Sequence, residues 1–317
     1  MTASKSPTNL KQPNTTLPVI ALLTVAVAWG GAFVVMKPAI EHQPFYDFLA
    51  IRFTIAALAM ALVRPRALRA ITPKMIATGL ILGVILGLAY VTQTIALAET
   101  TAAITGFLTG LYVVLTPLLS WLLFRHRASG KLVFGVVLAT FGLALISITD
   151  IGIQPGHVWG IICAVLYAMH IVGLGKFSAR FDAYPLTIIQ LVGVALVSWI
   201  GAIPDGYQGP QGGDGWFAVL FTALFATAAA FFVQTWAQAR MDAGRVAIVL
   251  TSEVVFTAVI SVAVGQEVLS LQTVLGGALM VGAMLLVEWP SKRRGLPAEP
   301  AGPSAALAGE INVGAES

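Results

Sequence analysis

The sequence predicts an all-α integral membrane protein, with ten transmembrane helices arranged as two inverted-topology five-helix repeats. Three observations carry this reading. Hydrophobic residues make up 58% of the 317-residue chain and charged ones 10%, whereas a soluble domain of this length carries about 25% charge. One stretch occurs twice: Ala89–Leu145 and Ala230–Leu286 align under a constant shift without gaps. Finally, the two copies carry their basic residues in opposite loops.

The duplication is clearest at polar positions, which are scarce in apolar helices. Gln93/Gln234, Thr94/Thr235, Thr116/Thr257, Ser120/Ser261 and Ser129/Ser270 are identical pairs. Charge is where the copies part. Arg125, Arg127 and Lys131 stand against Gln266, Val268 and Gln272, while Glu99 and Ile104 stand against Arg240 and Arg245. Lys and Arg of short loops stay cytoplasmic, so the swap turns one copy upside down relative to the other.

Taken in order, residues 1–16 read as a polar, disordered cytoplasmic tail. Ten apolar spans follow at roughly 17–38, 45–63, 74–98, 101–124, 130–149, 156–176, 184–203, 216–239, 243–265 and 269–289, each near the 20 residues that cross the hydrocarbon core. The first repeat is 17–150 and the second 151–290. Residues 291–317, rich in Ala, Gly, Pro and Glu after a basic SKRR, read as a second disordered cytoplasmic tail.

Loop charges support the count. Alternate loops hold Arg64, Arg66, Arg69 and Lys74; Arg125, Arg127 and Lys131; Lys176 and Arg180; Arg240 and Arg245; then Lys292, Arg293 and Arg294. The opposite loops hold the acids Glu41, Asp47, Glu99, Asp150, Asp205, Asp214 and Glu267. An error of one span would scramble this alternation, so both termini are expected in the cytoplasm. A pI of 9.3 then reflects loops lying beside anionic lipid, and no nucleic-acid partner is called for.

Several chemistries are excluded. Cys163 is the single cysteine and lies in an apolar run, which leaves no disulfide or thiolate cluster. His42, His126, His157 and His170 show no metal-ligand spacing, and no phosphate-binding loop or nucleophile elbow stands in the chain. No cofactor or metal is expected. Leu17–Met36 is too long for a signal-peptide core and is read as a retained first helix. Gly79, Gly83 and Gly87 recur every four residues, as do Gly106 and Gly110, a spacing that lets helix backbones approach closely.

Certain stretches resemble the drug/metabolite transporter superfamily, and more narrowly its bacterial ten-helix branch with two EamA domains. They are AWGGAFVVMKPAI at 28–40, AIRF at 50–53, ALAETTAAITGFLTGLYVVLTPLLSWLLF at 96–124 and SEVVFTAVISVAVGQEVLSLQTVLGGALMVGAML at 252–285. The resemblance implies ten helices around a central cavity, an inner-membrane location and efflux of small metabolites such as amino acids. Two departures stand out. Glu253-Val254 lacks the proline that would break the ninth helix, whereas Pro117 keeps a break in the first copy. Phe124-Arg125-His126-Arg127 lacks the acid that usually ends the fourth helix.

Polar groups inside spans are expensive and usually have a task. Gln93 and Gln234 hold equivalent places on the third and eighth spans, so an inverted repeat sets their amides about its pseudo-twofold axis, facing either a zwitterion or a neighbouring helix. Tyr90, with Phe231, stands one turn earlier and offers an aromatic wall. Trp29, before Gly30-Gly31, is too deep for the interfacial belt and either lines a cavity or packs in the core. Arg52 and Glu253 each sit at least two turns inside a span. They either bind charged substrate groups, or form structural ion pairs or snorkel outward. Glu253 is also the proton-carrier candidate, with His170 as a second titratable group or a helix-linking hydrogen bond.

These readings favour a secondary transporter of a small molecule, monomeric in the bilayer, working by alternating access. A membrane-embedded enzyme would need a clustered nucleophile and base, and the sequence offers scattered singles.

Overall fold

The computed structural model describes residues 15–99, 102–125, 127–147, 155–204, 206–265, 268 and 270–289. The bulk of both expected tails lies outside them, as do Asp150, Asp205, Glu267 and His126. The described chain is almost entirely helical. The first repeat contributes α1 (Thr16–His42), α2 (Phe45–Val63), α3 (Pro73–Glu99), α4 (Ala102–Gly110), α5 (Tyr112–Phe124) and α6 (Gly130–Ser147). The second contributes α7 (Pro155–Phe177), α8 (Ala183–Ala202), α9 (Gly212–Ala223), a π-helical segment (Leu224–Ala229), α10 (Ala230–Gln238), α11 (Ala243–Thr251), α12 (Glu253–Ala263) and α13 (Leu271–Glu288).

Seven helical stretches among the described residues are long and apolar enough to cross a membrane. Shorter apolar helices cover Leu108–Phe124, Gly130–Leu145 and Leu271–Val287. The lipid-facing character is visible on the outside, where Leu62, Phe141, Ile200 and Leu122 are all largely exposed. A water-soluble surface rarely carries so much contiguous apolar area.

Matched polar residues have local jobs. Ser129 and Ser270 are helix N-caps: Leu132 N–H donates to Ser129 Oγ (3.2 Å) and Thr273 N–H to Ser270 Oγ (3.0 Å). Asp182 and Asp242 cap α8 and α11 through the N–H groups of Tyr184 and Gly244, each at 2.9 Å. Each such cap is worth about 1 kcal/mol.

Packing is close where glycine stands. A Cβ on Gly83 would lie 2.4 Å from the Gln190 carbonyl oxygen, so α3 rests directly on the α8 backbone. Gly30 backs onto Thr257 in the same way, bringing α1 against α12. Gly106 has open space around it, and its spacing from Gly110 therefore serves no close contact there.

Three expectations need correction. The ninth span is broken despite lacking proline: α11 ends at Thr251 and α12 begins at Glu253, with Ser252 as the turn. In the first copy the break falls at Leu111, and Pro117 lies inside the continuous α5. Leu111 and Ser252 are equivalent under the repeat shift, so the break belongs to the repeat's geometry and not to a proline. Asp47 is no loop acid; it is buried in the first turn of α2, where its Oδ2 accepts the Gln208 N–H at 2.7 Å.

Candidate functional site

A central cavity lies among α1, α2, α3, α4, α5, α7, α10, α11 and α12. Trp29, Arg52, Tyr90, Gln93, His170, Gln234 and Glu253 all line it. The seven side chains singled out from sequence thus converge on one space.

Arg52 is 2% exposed. Its Nε–H donates to Thr227 Oγ1 at 2.7 Å and its Nη1 to Met36 Sδ at 3.5 Å. The guanidinium carbon stands 5.3 Å from the Phe53 ring centroid and 5.5 Å from that of Tyr90, a cation–π setting that offsets part of the cost of burial. Among the described residues no carboxylate pairs with it.

Thr227 reaches Arg52 from the π-helical segment. A π turn removes a carbonyl from the regular i→i+4 ladder and leaves it to accept elsewhere. Here Ala226 O accepts the Trp29 indole N–H at 2.8 Å. One irregular turn therefore holds both Trp29 and Arg52. The corresponding stretch of α3 is regular α-helix.

Glu253 opens α12, directly after the Ser252 turn, and is 8% exposed. The Tyr112 hydroxyl lies beside its carboxyl group and beside Thr251, but forms no hydrogen bond of good geometry there. Tyr112 opens α5 just after the first-copy break, so the repeat shift pairs it with Glu253. Aromatic rings fill the wall between Arg52 and Glu253: Tyr90 stands 5.0 Å from Phe53 and 5.8 Å from Tyr167, and Trp29 stands 5.5 Å from Phe231.

The two glutamines differ. Gln93 Nε2 donates to Thr109 Oγ1 (3.4 Å), and its Oε1 accepts from the Tyr167 hydroxyl (3.2 Å). Gln234 is 2% exposed and its Oε1 has no hydrogen-bond partner. His170 Nε2–H donates to Gln190 Oε1 at 2.9 Å, and Gln190 Nε2 in turn reaches Thr235 Oγ1 at 3.4 Å. His170 thus links α7 to α8 as well as facing the cavity.

Comparison with known proteins gives this architecture a family. The EamA-like transporter family matches residues 16–148 and again 154–289. The chain belongs to that family. It is a drug/metabolite-transporter-type protein with two EamA domains, a multi-pass membrane transporter and not an enzyme. An "Uncharacterized transporter" of Archaeoglobus fulgidus is 30% identical over 268 residues, covering 84% of each chain. The "Uncharacterized transporter YetK" of Bacillus subtilis is 25% identical over 287 residues, covering 84% of this chain and 85% of its own. A crystal structure of another protein superposes with a TM-score of 0.73 at 21% identity, covering 86% of this chain and 96% of that one.

In this EamA-type transporter the sequence reading missed several wall residues. Tyr112 was within reach, since the repeat shift places it opposite Glu253. Thr109 was too, opposite Leu250, which also lines the cavity. Tyr167 and Thr227 carried no such signal: Ala26 stands opposite Tyr167, and the π turn that presents Thr227 has no sequence mark. Together these groups make a chamber with a cation and an acid that are not paired to each other, amide and hydroxyl groups, and apolar ring faces. Such a chamber suits a small ligand that is both polar and partly apolar.

Proposed function

We propose that the protein is a secondary transporter that exports a small amphipathic metabolite, of the amino-acid kind, by alternating access through this cavity. The observation that carries the reading is the buried Arg52 guanidinium and the buried Glu253 carboxyl group, not paired with each other, facing one aromatic-walled space. In a substrate complex Arg52 holds a carboxylate through its planar fork. Gln93 and Gln234 hydrogen-bond the polar end, and Trp29, Tyr90 and Phe231 cover the apolar part. His170 borders the space and fixes its α7–α8 wall.

The proposed frame is ten spans in two inverted five-helix repeats, in a bacterial inner membrane with both termini cytoplasmic. Two features support it. α1 packs on α12 as α7 packs on α5, an exchange of the two copies. Basic residues alternate from loop to loop. A reporter fused after Arg294 should report the cytoplasm and a label at Asp214 the periplasm; finding both on one side sinks the frame.

Uptake of amino acids, nucleobases and drugs into proteoliposomes tests the transport reading. Saturable flux of at least one amphipathic member is expected, and no flux of any overturns it. Glu253, beside a hydroxyl and without a basic partner, favours a second reading, proton-coupled exchange. Flux would then follow an imposed pH gradient in the wild type and ignore it in Glu253→Gln.

A further inference from the structure

A second cavity, sharing no lining residue with the central one, lies where α6 and α11 begin. It is a half-open pocket of about 250 Å³. Arg127 and Lys131 enter it from the first copy and Arg245 from the second. The one acid in its wall is Asp242, whose Oδ1 is engaged by the Gly244 N–H at 2.9 Å. Ser129 adds a hydroxyl whose oxygen accepts the Leu132 N–H at 3.2 Å and whose O–H remains able to donate.

Loop charge that only orients a helix in the membrane needs to reach water, not to converge. Here cations from two loops far apart in sequence line one pocket, Arg245 also donating through Nη2 to Thr15 Oγ1 at 3.3 Å. At the repeat-equivalent positions stand Val268, Gln272 and Ile104, without charge. The basic pocket is therefore an addition to the duplicated frame. Val287 lines the pocket, and two residues further on the Trp289 carbonyl oxygen accepts from Lys131 Nζ. The pocket is thus placed at the rim of the apolar helices, within reach of phosphate groups of the bilayer surface.

We propose that this pocket binds a phosphate-bearing anion, bridging the two copies through Arg127 and Lys131 on one side and Arg245 on the other. A phospholipid headgroup and free phosphate share that chemistry. The site is independent of the transport reading.

The test uses the full chain in nanodiscs of phosphatidylcholine, with and without phosphatidylglycerol. Inorganic phosphate is titrated in a third arm against chloride at matched ionic strength. Unfolding temperature and the lipid retained in native mass spectra are read out. Phosphatidylglycerol should raise the unfolding temperature, and each pocket cation removed, in Arg127→Gln and in Lys131→Gln/Arg245→Gln, should weaken its retention about fivefold. The exposed pair Arg66→Gln/Arg69→Gln, outside the pocket, should change nothing. If phosphate alone reproduces the shift and the pocket variants abolish it, the site takes the free ion. Should the double variant not fold, Arg127→Gln, at an exposed position, decides alone. The proposal fails if neither anion stabilises the wild type over its chloride control. It also fails if the outside pair loses as much as the pocket variants.

Discussion

The two copies share a scaffold and differ at the cavity wall. Both break their penultimate long helix at the same repeat position, Leu111 in one and Ser252 in the other, and both cap the final helix with serine. At the wall the pairs diverge: Trp29 stands opposite His170, Tyr112 opposite Glu253 and Thr109 opposite Leu250. The consequence is sharpest at the matched glutamines. Gln93 is held by Thr109 and Tyr167, whereas the repeat-equivalent positions for Gln234 carry the apolar Leu250 and Ala26, and the Gln234 carbonyl oxygen has no hydrogen-bond partner among the described residues. The duplicated frames fit one another, and divergence left one glutamine hydrogen-bonded by its neighbours and the other with an unpaired carbonyl oxygen. Burying a polar atom without a partner is costly, and under the transport proposal a ligand supplies that partner.

The largest effect should come from Arg52, the cation that the second copy's π turn holds in place. Arg52→Gln should reduce flux of a carboxylate-bearing substrate about a hundredfold, the size expected when a buried charged hydrogen bond is lost. A comparable loss for an uncharged substrate would show that Arg52 is structural instead.

The glutamine pair gives the next contrast, and it is a crossed one. Gln93→Leu strands Thr109 and Tyr167 and should destabilise the folded protein by about 1–3 kcal/mol. Gln234→Leu removes an unpaired group, so thermal stability in detergent should hold or rise while flux falls roughly tenfold. Equal losses of stability in the two variants would break the distinction between a held and an open wall.

A smaller effect is expected at Thr227→Val, which leaves Arg52 in the cavity but frees its Nε. Affinity should weaken roughly threefold to fivefold, since one neutral-to-charged hydrogen bond positions the fork without creating it. An unchanged affinity would mean that the π turn does not orient Arg52.

Much of this organisation was legible in the sequence, for reasons specific to membranes. Polar residues are so disfavoured in apolar spans that Gln93, Arg52, His170 and Glu253 stood out singly, and the repeat shift paired the glutamines before any fold was known. What escaped notice depended on backbone irregularity. The π turn at Leu224–Ala229 lies in an alanine-rich run with no proline or glycine to mark it. The break at Ser252 likewise needs no proline, because the Ser252 hydroxyl donates to the Val249 carbonyl at 2.6 Å and helps satisfy the end of α11. Asp47 looked like a loop acid because charge alone cannot tell an exposed carboxylate from one that accepts a backbone N–H of a loop folded over it.

Under the transport proposal, substrate occupies the cavity between the Gln93 and Gln234 walls. Substrate protection of a cavity thiol tests it most directly. In a Cys163→Ala background, Leu250→Cys places a thiol on the cavity wall and Ser120→Cys places one in the separate basic pocket. Labelling by a small methanethiosulfonate is then timed with and without a saturating substrate taken from the flux screen. The account predicts that substrate slows labelling at position 250 about tenfold or more, as expected for a site at least nine-tenths occupied, and leaves position 120 unchanged. Equal labelling at position 250 with and without a substrate that is demonstrably transported would contradict it.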